Sequence, residues 1–271
     1  MNLKRTLTAL IGLPIVILII VFGNKYILDV IVNVVAIICM YEYFRVIEKV
    51  AHPIKWVGYA STIIISLVSL LGTQNSMQAI MYGIPVILMI LFLYVIITNM
   101  KTTFKDVAYT FLGIIYISFF LTFLSFMLEL EYGKLYFAYT FGIAWMTDVF
   151  AYWIGKYFGK HHFSKVSPKK TVEGSAAGII SSIIASLIYL YFINRFSALD
   201  FNAPYMYFIF GILALVFSII SQFGDFVASS IKRFADTKDY GNLLPGHGGM
   251  LDRIDSVIFL TPFIYMFVNL I

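Results

Sequence analysis

Five carboxylates, four cations, one histidine and four glycines fall between residues 225 and 255 of a 271-residue chain that is 61% hydrophobic and only 12% charged. Such a cluster between two apolar blocks points to chemistry on phosphates with a divalent metal. Asp225 closes one block. A helix continuing past it sets Ser229, Lys232 and Arg233 on its own face, at +4, +7 and +8. A carboxylate for a metal and cations for phosphate oxygens would then stand side by side. Ser230 lies in the same run, Lys238 and Asp239 follow, and Gly241-Asn242 is a turn signal. Pro245-Gly246-His247-Gly248-Gly249 has almost no side-chain bulk, so its backbone can approach a phosphate and aim N–H groups at it. Asp252 and Asp255, three apart, share a face if a helix begins there, and both can reach one hard cation. A helix N-terminus is also favourable ground for an anion.

The donor types select the metal. Magnesium takes carboxylate oxygens and keeps waters that substrate phosphates replace. Zinc would want Cys and His, and the chain has one Cys and four His. No GxxxxGK[ST] loop occurs, which argues against an ordinary P-loop nucleotide hydrolase. No Ser-His-Asp order suggests acyl transfer.

Two further groups could join this site. Asp148 sits in the apolar run WMTDVFAYWIGK, where a carboxylate at the bilayer centre costs about 2.5–3.5 kcal/mol. Asp148, Tyr152, Gly155 and Lys156 follow helical spacing, and the stripe should face a polar cavity. A structural Asp paired to a neighbouring helix is the competing reading. In HHFSKVSPKKTVEGS, Lys169 and Lys170 can neutralise a triphosphate, Thr171 can cap the next helix, and Glu173 follows. Juxtamembrane lysines serve lipid headgroups or topology equally well. His161 and His162 are adjacent, a poor spacing for zinc.

These groups must be held by membrane helices. Apolar blocks near 6–22, 26–46, 56–73, 78–98, 107–128, 134–155, 174–193, 204–225 and 255–271 each have roughly the length that crosses a bilayer core. The expected fold is an all-α polytopic membrane protein of about nine spans. It divides into five N-terminal spans at 1–130 and a C-terminal region at 131–271 that carries the chemistry. Of 19 Lys and Arg, 16 fall in loops of one side, and Lys25, Lys134 and Arg195 in loops of the other. Cations collect on the cytoplasmic side. The N-terminus is therefore expected in the cytoplasm, and the long polar loops 156–173 and 226–254 face it. The net charge of +5 follows topology and does not call for nucleic acid. Lys4 and Arg5 before an apolar run imitate a signal peptide, but no small-x-small cleavage site follows.

The run S-x-x-K-R-x4-K-D-x-G-x2-L-P-G-H-G-G-x-L-D-R-x-D, from Ser230 to Asp255, closely resembles the signature of the phosphatidate cytidylyltransferase family. Gln222-x-Gly-Asp225, the SPKKTxEG loop and the Asp148/Tyr152/Lys156 stripe resemble the family too. The resemblance is strong over about residues 140–260 and unspecific over the first hundred. It implies that CTP and phosphatidic acid give CDP-diacylglycerol and pyrophosphate, in a multi-pass plasma-membrane enzyme whose site faces the cytoplasm. It also implies Mg²⁺, with or without a second cation, and a homodimer. On that footing Asp225 and Asp252 are expected as metal ligands. Lys232, Arg233, Lys238, Asp239, His247, Arg253 and Asp255 are the expected catalytic set. Asp148, Tyr152, Lys156, Lys169, Lys170, Glu173, Ser229, Ser230, Gly246, Gly248 and Gly249 are expected against the substrates. A CTP-using lipid kinase would share this logic. A transporter would want sites near the midplane, reached from both faces.

Overall fold

The computed structural model describes residues 14–72, 75–164, 166–196, 203–243, 246 and 248–270, and every regular element among them is a helix. Residues 14–22 are helical. Then come α1 (Lys25–Ile47), α2 (Lys55–Leu70), α3 (Ser76–Ile97) and α4 (Phe104–Glu129), the last with a π-helical stretch at Ile114–Phe119. They are followed by α5 (Gly133–Phe158), α6 (Val172–Phe196), α7 (Pro204–Phe234) and α8 (Leu251–Val268). Eight expected spans fall on α1–α8 within the described residues; of the first, 6–22, residues 14–22 are helical and 6–13 lie outside the described residues. Among the described residues α1, α3, α4, α6 and α7 are long and apolar enough to cross a membrane. The chain is an all-α polytopic membrane protein.

Local chemistry sets the helix ends. Asn24 accepts from the Ile27 N–H (2.9 Å) and starts α1. Thr103 and Asp106 form a capping box at α4, and Asp106 also takes the His52 N–H at 2.7 Å, tying down the loop before α2. Thr171 accepts from the Gly174 N–H (3.2 Å), so the cap expected for α6 is present. α7 runs on beyond its apolar block to Phe234. Its 31 residues reach about 46 Å, roughly ten residues more than a bilayer core needs, and the excess is the polar end. At that end Thr237 N–H bonds Lys232 C=O and Asp236 N–H bonds Arg233 C=O, with Asp236 left-handed at φ 48°.

The described chain forms two compact units. One is Met1–Lys134 with Ile231–Ile254; the other is Leu135–Ser230 with Asp255–Ile271. The segment 231–254 lies in the first unit.

In the first unit α1 packs against α2 and α4. Leu28, Val32, Ala36, Met40, Tyr43 and Phe44 of α1 are buried along one stripe. The Phe44 ring fills the space that Gly58 leaves, the Tyr43 ring lies on Gly113, and the Tyr43 hydroxyl donates to Tyr109 C=O at 2.9 Å. α3 keeps most of its apolar surface outward, as a lipid-facing helix does, while α4 is largely buried.

In the second unit α5 and α6 approach backbone to backbone. A Cβ on Gly174 would meet Gly155 Cα at 2.9 Å, and one on Gly178 would meet Thr147 C=O at 2.8 Å. Small residues at four-residue spacing allow this, as in close membrane-helix pairs. Small polar side chains add bonds between helices: Thr147 to Ser218 (3.0 Å), Tyr139 to Ser186 (2.8 Å) and Ser182 to Ala214 C=O (3.3 Å).

Candidate active site

In the first unit the centre is Asp252, in the first turn of α8. Its Oδ1 accepts from the Lys232 ammonium at 2.7 Å. Its Oδ2 accepts from Tyr240 N–H (2.8 Å) and Gly249 N–H (2.9 Å). The Lys232 and Asp252 side chains are withdrawn from solvent, at 11% and 3% exposure, and the Lys232 Nζ also lies 5.2 Å from the Tyr240 ring centroid. Gly248 is left-handed (φ 85°), and a Cβ there would come within 2.9 Å of Asp252 Oδ2. Gly246 is left-handed too (φ 79°).

Beside Asp252 stands a residue that sequence reasoning passed over. Glu42, buried on α1, accepts from Met250 N–H (Oε1, 2.9 Å) and Leu251 N–H (Oε2, 2.8 Å). The helix N-terminus expected to favour an anion therefore holds a carboxylate of the protein itself. A Cβ on Gly241 or Gly249 would overlap that carboxylate. The N–H of Gly249, expected to face a phosphate, points to Asp252. These glycines make room for two carboxylates, and that is a physical reason for their presence. One signal could have found Glu42. It is an ionisable residue inside an apolar block, and such residues are functional candidates by default. The rule that singles out Asp148 singles out Glu42 equally.

Around this buried knot lie exposed cations. Arg233 donates to Thr237 C=O at 3.3 Å. Lys238 and Arg253 are exposed and, among the described residues, form no ion pair with a carboxylate. Asp239 is exposed as well. His247 lies outside the described residues, as does Pro245.

In the second unit the centre is Asp225 on α7. It is ion-paired with Lys170 and accepts from the Ser229 hydroxyl at 3.3 Å; lysine and aspartate are about a quarter exposed. Lys170 also sits 4.0 Å from the Phe226 ring centroid. Gln222, one turn before Asp225, bonds Ser175 of α6. The Lys169–Lys170 loop is closed on itself. Glu173 takes the N–H groups of Lys160 (3.1 Å) and His161 (3.3 Å) and pairs with His161 Nδ1 at 2.6 Å, while the His162 backbone pairs with that of Thr171. Lys169 is exposed, and Ser230 turns its hydroxyl back to Phe226 C=O at 2.8 Å.

Asp148, Tyr152 and Lys156 share the exposed side of α5, with Tyr152 62% exposed. Gly155, expected on the same stripe, is instead turned to Thr171 and Gly174. A Cβ-less residue at the tightest point of the α5–α6 contact explains that. Asp148 accepts from the Ser256 hydroxyl at 3.1 Å, and buried Asp255 accepts from Ser256 N–H at 2.9 Å.

The donors present suit magnesium. Among the described residues no three His, Cys, Asp or Glu side chains converge as an all-protein metal cage would require. Magnesium needs no such cage, since one or two carboxylates plus substrate oxygens and water complete its shell. Asp225, partly exposed and bordered by a hydroxyl, fits that use. At Asp252 three of about four acceptor positions are taken by Lys232 and two backbone donors, so a metal there would share the carboxylate with them.

Comparison with known proteins supplies the remaining constraint. Residues 3–271 match the model of the cytidylyltransferase family. A phosphatidate cytidylyltransferase of Staphylococcus aureus (strain COL) is 34% identical over 264 residues, 95% of each chain. Another, from Bacillus subtilis (strain 168), is 37% identical over 184 residues, 67% of this chain and 65% of its own. One from Staphylococcus haemolyticus (strain JCSC1435) is 31% identical over 261 residues, 95% of each.

Proposed function

The chain belongs to the cytidylyltransferase family, and from that premise we propose that it is the membrane enzyme that transfers the cytidylyl group of CTP to phosphatidic acid. The products are CDP-diacylglycerol and pyrophosphate. The observation that carries this reading is the Lys232–Asp252 pair, buried and locked to the glycine loop in the segment whose sequence matches the family signature. It is supported by relatives of that name aligned over nearly the whole chain.

In the proposed reaction a phosphate oxygen of phosphatidic acid attacks the α-phosphorus of CTP. The bond from that phosphorus to the bridging oxygen breaks, and pyrophosphate leaves with the electron pair. The nucleophile is already an anion, so no strong base is needed. The barrier is the meeting of two polyanions, and catalysis is positioning and charge neutralisation. Lys232, fixed by Asp252, presents an ammonium whose place does not have to be organised during the reaction. Arg233, Lys238 and Arg253, exposed, draw in and hold phosphate oxygens. Lys169 and Lys170 add charge beside Asp225. Asp225 and Asp252 are the proposed ligands of Mg²⁺, with Asp148 and Asp255 in support. When bound, the metal offsets charge on the phosphates and the leaving pyrophosphate.

The nine-span count rests on the apolar blocks, and the cytoplasmic N-terminus and cytoplasm-facing site rest on the cation asymmetry; the plasma membrane as location goes with the family resemblance. Acyl chains would reach the site sideways, because the lipid need not leave the bilayer. A homodimer is part of the same proposal.

The deciding experiment uses purified protein, Mg²⁺, phosphatidic acid and CTP labelled either in cytosine or at the γ-phosphate. Cytosine label should enter the lipid and γ-label should leave as pyrophosphate. Transfer of γ-label to lipid would mean a CTP-dependent lipid kinase instead.

A further inference from the structure

We propose that Glu42 is a positioning residue for cytidylyl transfer: it sets the register of the backbone at Gly249–Leu251 so that Asp252 holds Lys232 at a fixed place. This role presupposes the proposed function, and an imbalance points to it. A carboxylate on α1 is buried at 3% exposure, in a block that otherwise reads as membrane span, and a carboxylate in such a setting is costly. The hydrogen bonds made to it offset that cost.

Among the described residues those bonds go to one place. Met250 and Leu251 N–H, the last residue before α8 and its first, both donate to Glu42. The N–H of Gly249, next along the chain, and that of Tyr240 go to Asp252. Four backbone donors around the loop are thus divided between two carboxylates, residues 42 and 252. The division fixes the register. Glu42 holds Met250 and Leu251, so Gly249 N–H is left for Asp252, and Asp252 Oδ1 is left for Lys232. Gly241 and Gly249 complete the fit, since a side chain at either would expel Glu42. The donors to Glu42 are backbone groups, so its influence passes to Lys232 through the loop and Asp252.

A structural residue and a positioning residue differ in what their loss changes. Loss of a merely structural group lowers the fraction folded and leaves the folded enzyme normal. Loss of Glu42 should leave folded enzyme with a slow reaction, because Lys232 is no longer held. The variants are Glu42→Asp, Glu42→Gln, Glu42→Ala, Gly249→Ala and the double Glu42→Ala/Gly249→Ala. Each is purified in detergent and scored for folded fraction by size exclusion, then for kcat and KM per folded molecule.

The expected result is a kcat lowered about 10- to 100-fold in folded Glu42→Gln, with KM for CTP changed less than about threefold. Glu42→Asp should recover part of it. Gly249→Ala should show the same kcat defect, and adding it to Glu42→Ala should cost almost nothing, because the clashing carboxylate is gone. Folded Glu42→Gln with wild-type kcat would overturn the inference. So would full additivity in the double variant. If Glu42→Ala does not fold, the Gln and Asp variants and Gly249→Ala still decide. If wild-type protein makes no CDP-lipid while folded, the proposed function fails and not this inference alone.

Discussion

The two units use their carboxylates in opposite ways. In the first, Glu42 and Asp252 are buried and together take an ammonium and four backbone N–H groups. In the second, Asp225 is about a quarter exposed and meets a lysine and a hydroxyl. All three are acids in or beside apolar blocks, and nothing in their residue types separates them. What separates them is saturation. A carboxylate whose oxygens are engaged by protein donors organises backbone. One with exposed oxygens and a partly solvated cation beside it can exchange that cation for a substrate-bound metal. Asp225 is therefore the stronger of the two proposed metal ligands, while Asp252 has a second role in holding the loop.

The largest expected effect tests saturation directly. Asp252→Ala leaves the Lys232 ammonium and two N–H groups buried without a partner, and an uncompensated buried charge costs about 3–5 kcal/mol. We expect a large loss of thermal stability in detergent together with loss of CDP-diacylglycerol formation. A variant as stable as wild type would mean that the buried pair does not organise the loop. Asp225→Asn is the counterpart. Its pair with Lys170 is partly solvated, so stability should move by about 1 kcal/mol or less. Activity should fall at least about 100-fold, and raising Mg²⁺ should restore part of it. If stability and activity fell together here as well, the two units would not differ.

Much of this arrangement was legible beforehand. Within the described residues the apolar blocks are helices, because the length of a block and its lack of a polar face leave little alternative. Thr171 capped α6, and α7 continued to Phe234 with Asp225, Ser229 and Lys232 on it. The partners of the carboxylates were not legible. Glu42 and Leu251 lie 209 residues apart, and no local pattern joins them. The glycines were read as bare backbone for a phosphate, since spacing alone cannot say which anion will occupy the space. The π-helical stretch Ile114–Phe119 had no signal, because IIYISF is as apolar as its neighbours. The stripe on α5 kept Asp148, Tyr152 and Lys156 together. It lost Gly155 to the α5–α6 contact, which only the packing of α6 reveals.

Smaller effects sharpen the comparison at its rim. Lys238→Ala and Arg253→Ala remove exposed cations outside any ion pair among the described residues. Each should leave stability unchanged and raise KM for CTP several-fold at low salt. The difference should shrink by about 0.5 M salt, where screening shortens electrostatic reach to a few ångströms. Salt-independent defects would instead mean a direct, desolvated contact with substrate.

The smallest effect is expected at Glu173, and it bears on the second unit's loop. Glu173 closes that loop by taking the N–H groups of Lys160 and His161 and pairing with the His161 ring. His161 is largely in solvent, with 78% of its side chain exposed, so the pair is screened and weak. Glu173→Gln keeps an acceptor for the backbone donors and removes only the charge. If Glu173 serves loop closure, kcat and KM for CTP should stay within about twofold of wild type and the thermal midpoint should not move. A roughly tenfold loss of kcat at unchanged stability would give the carboxylate a direct role at the substrate. The second unit would then hold a further acid acting with Asp225, and its contrast with the saturated pair of the first unit would widen.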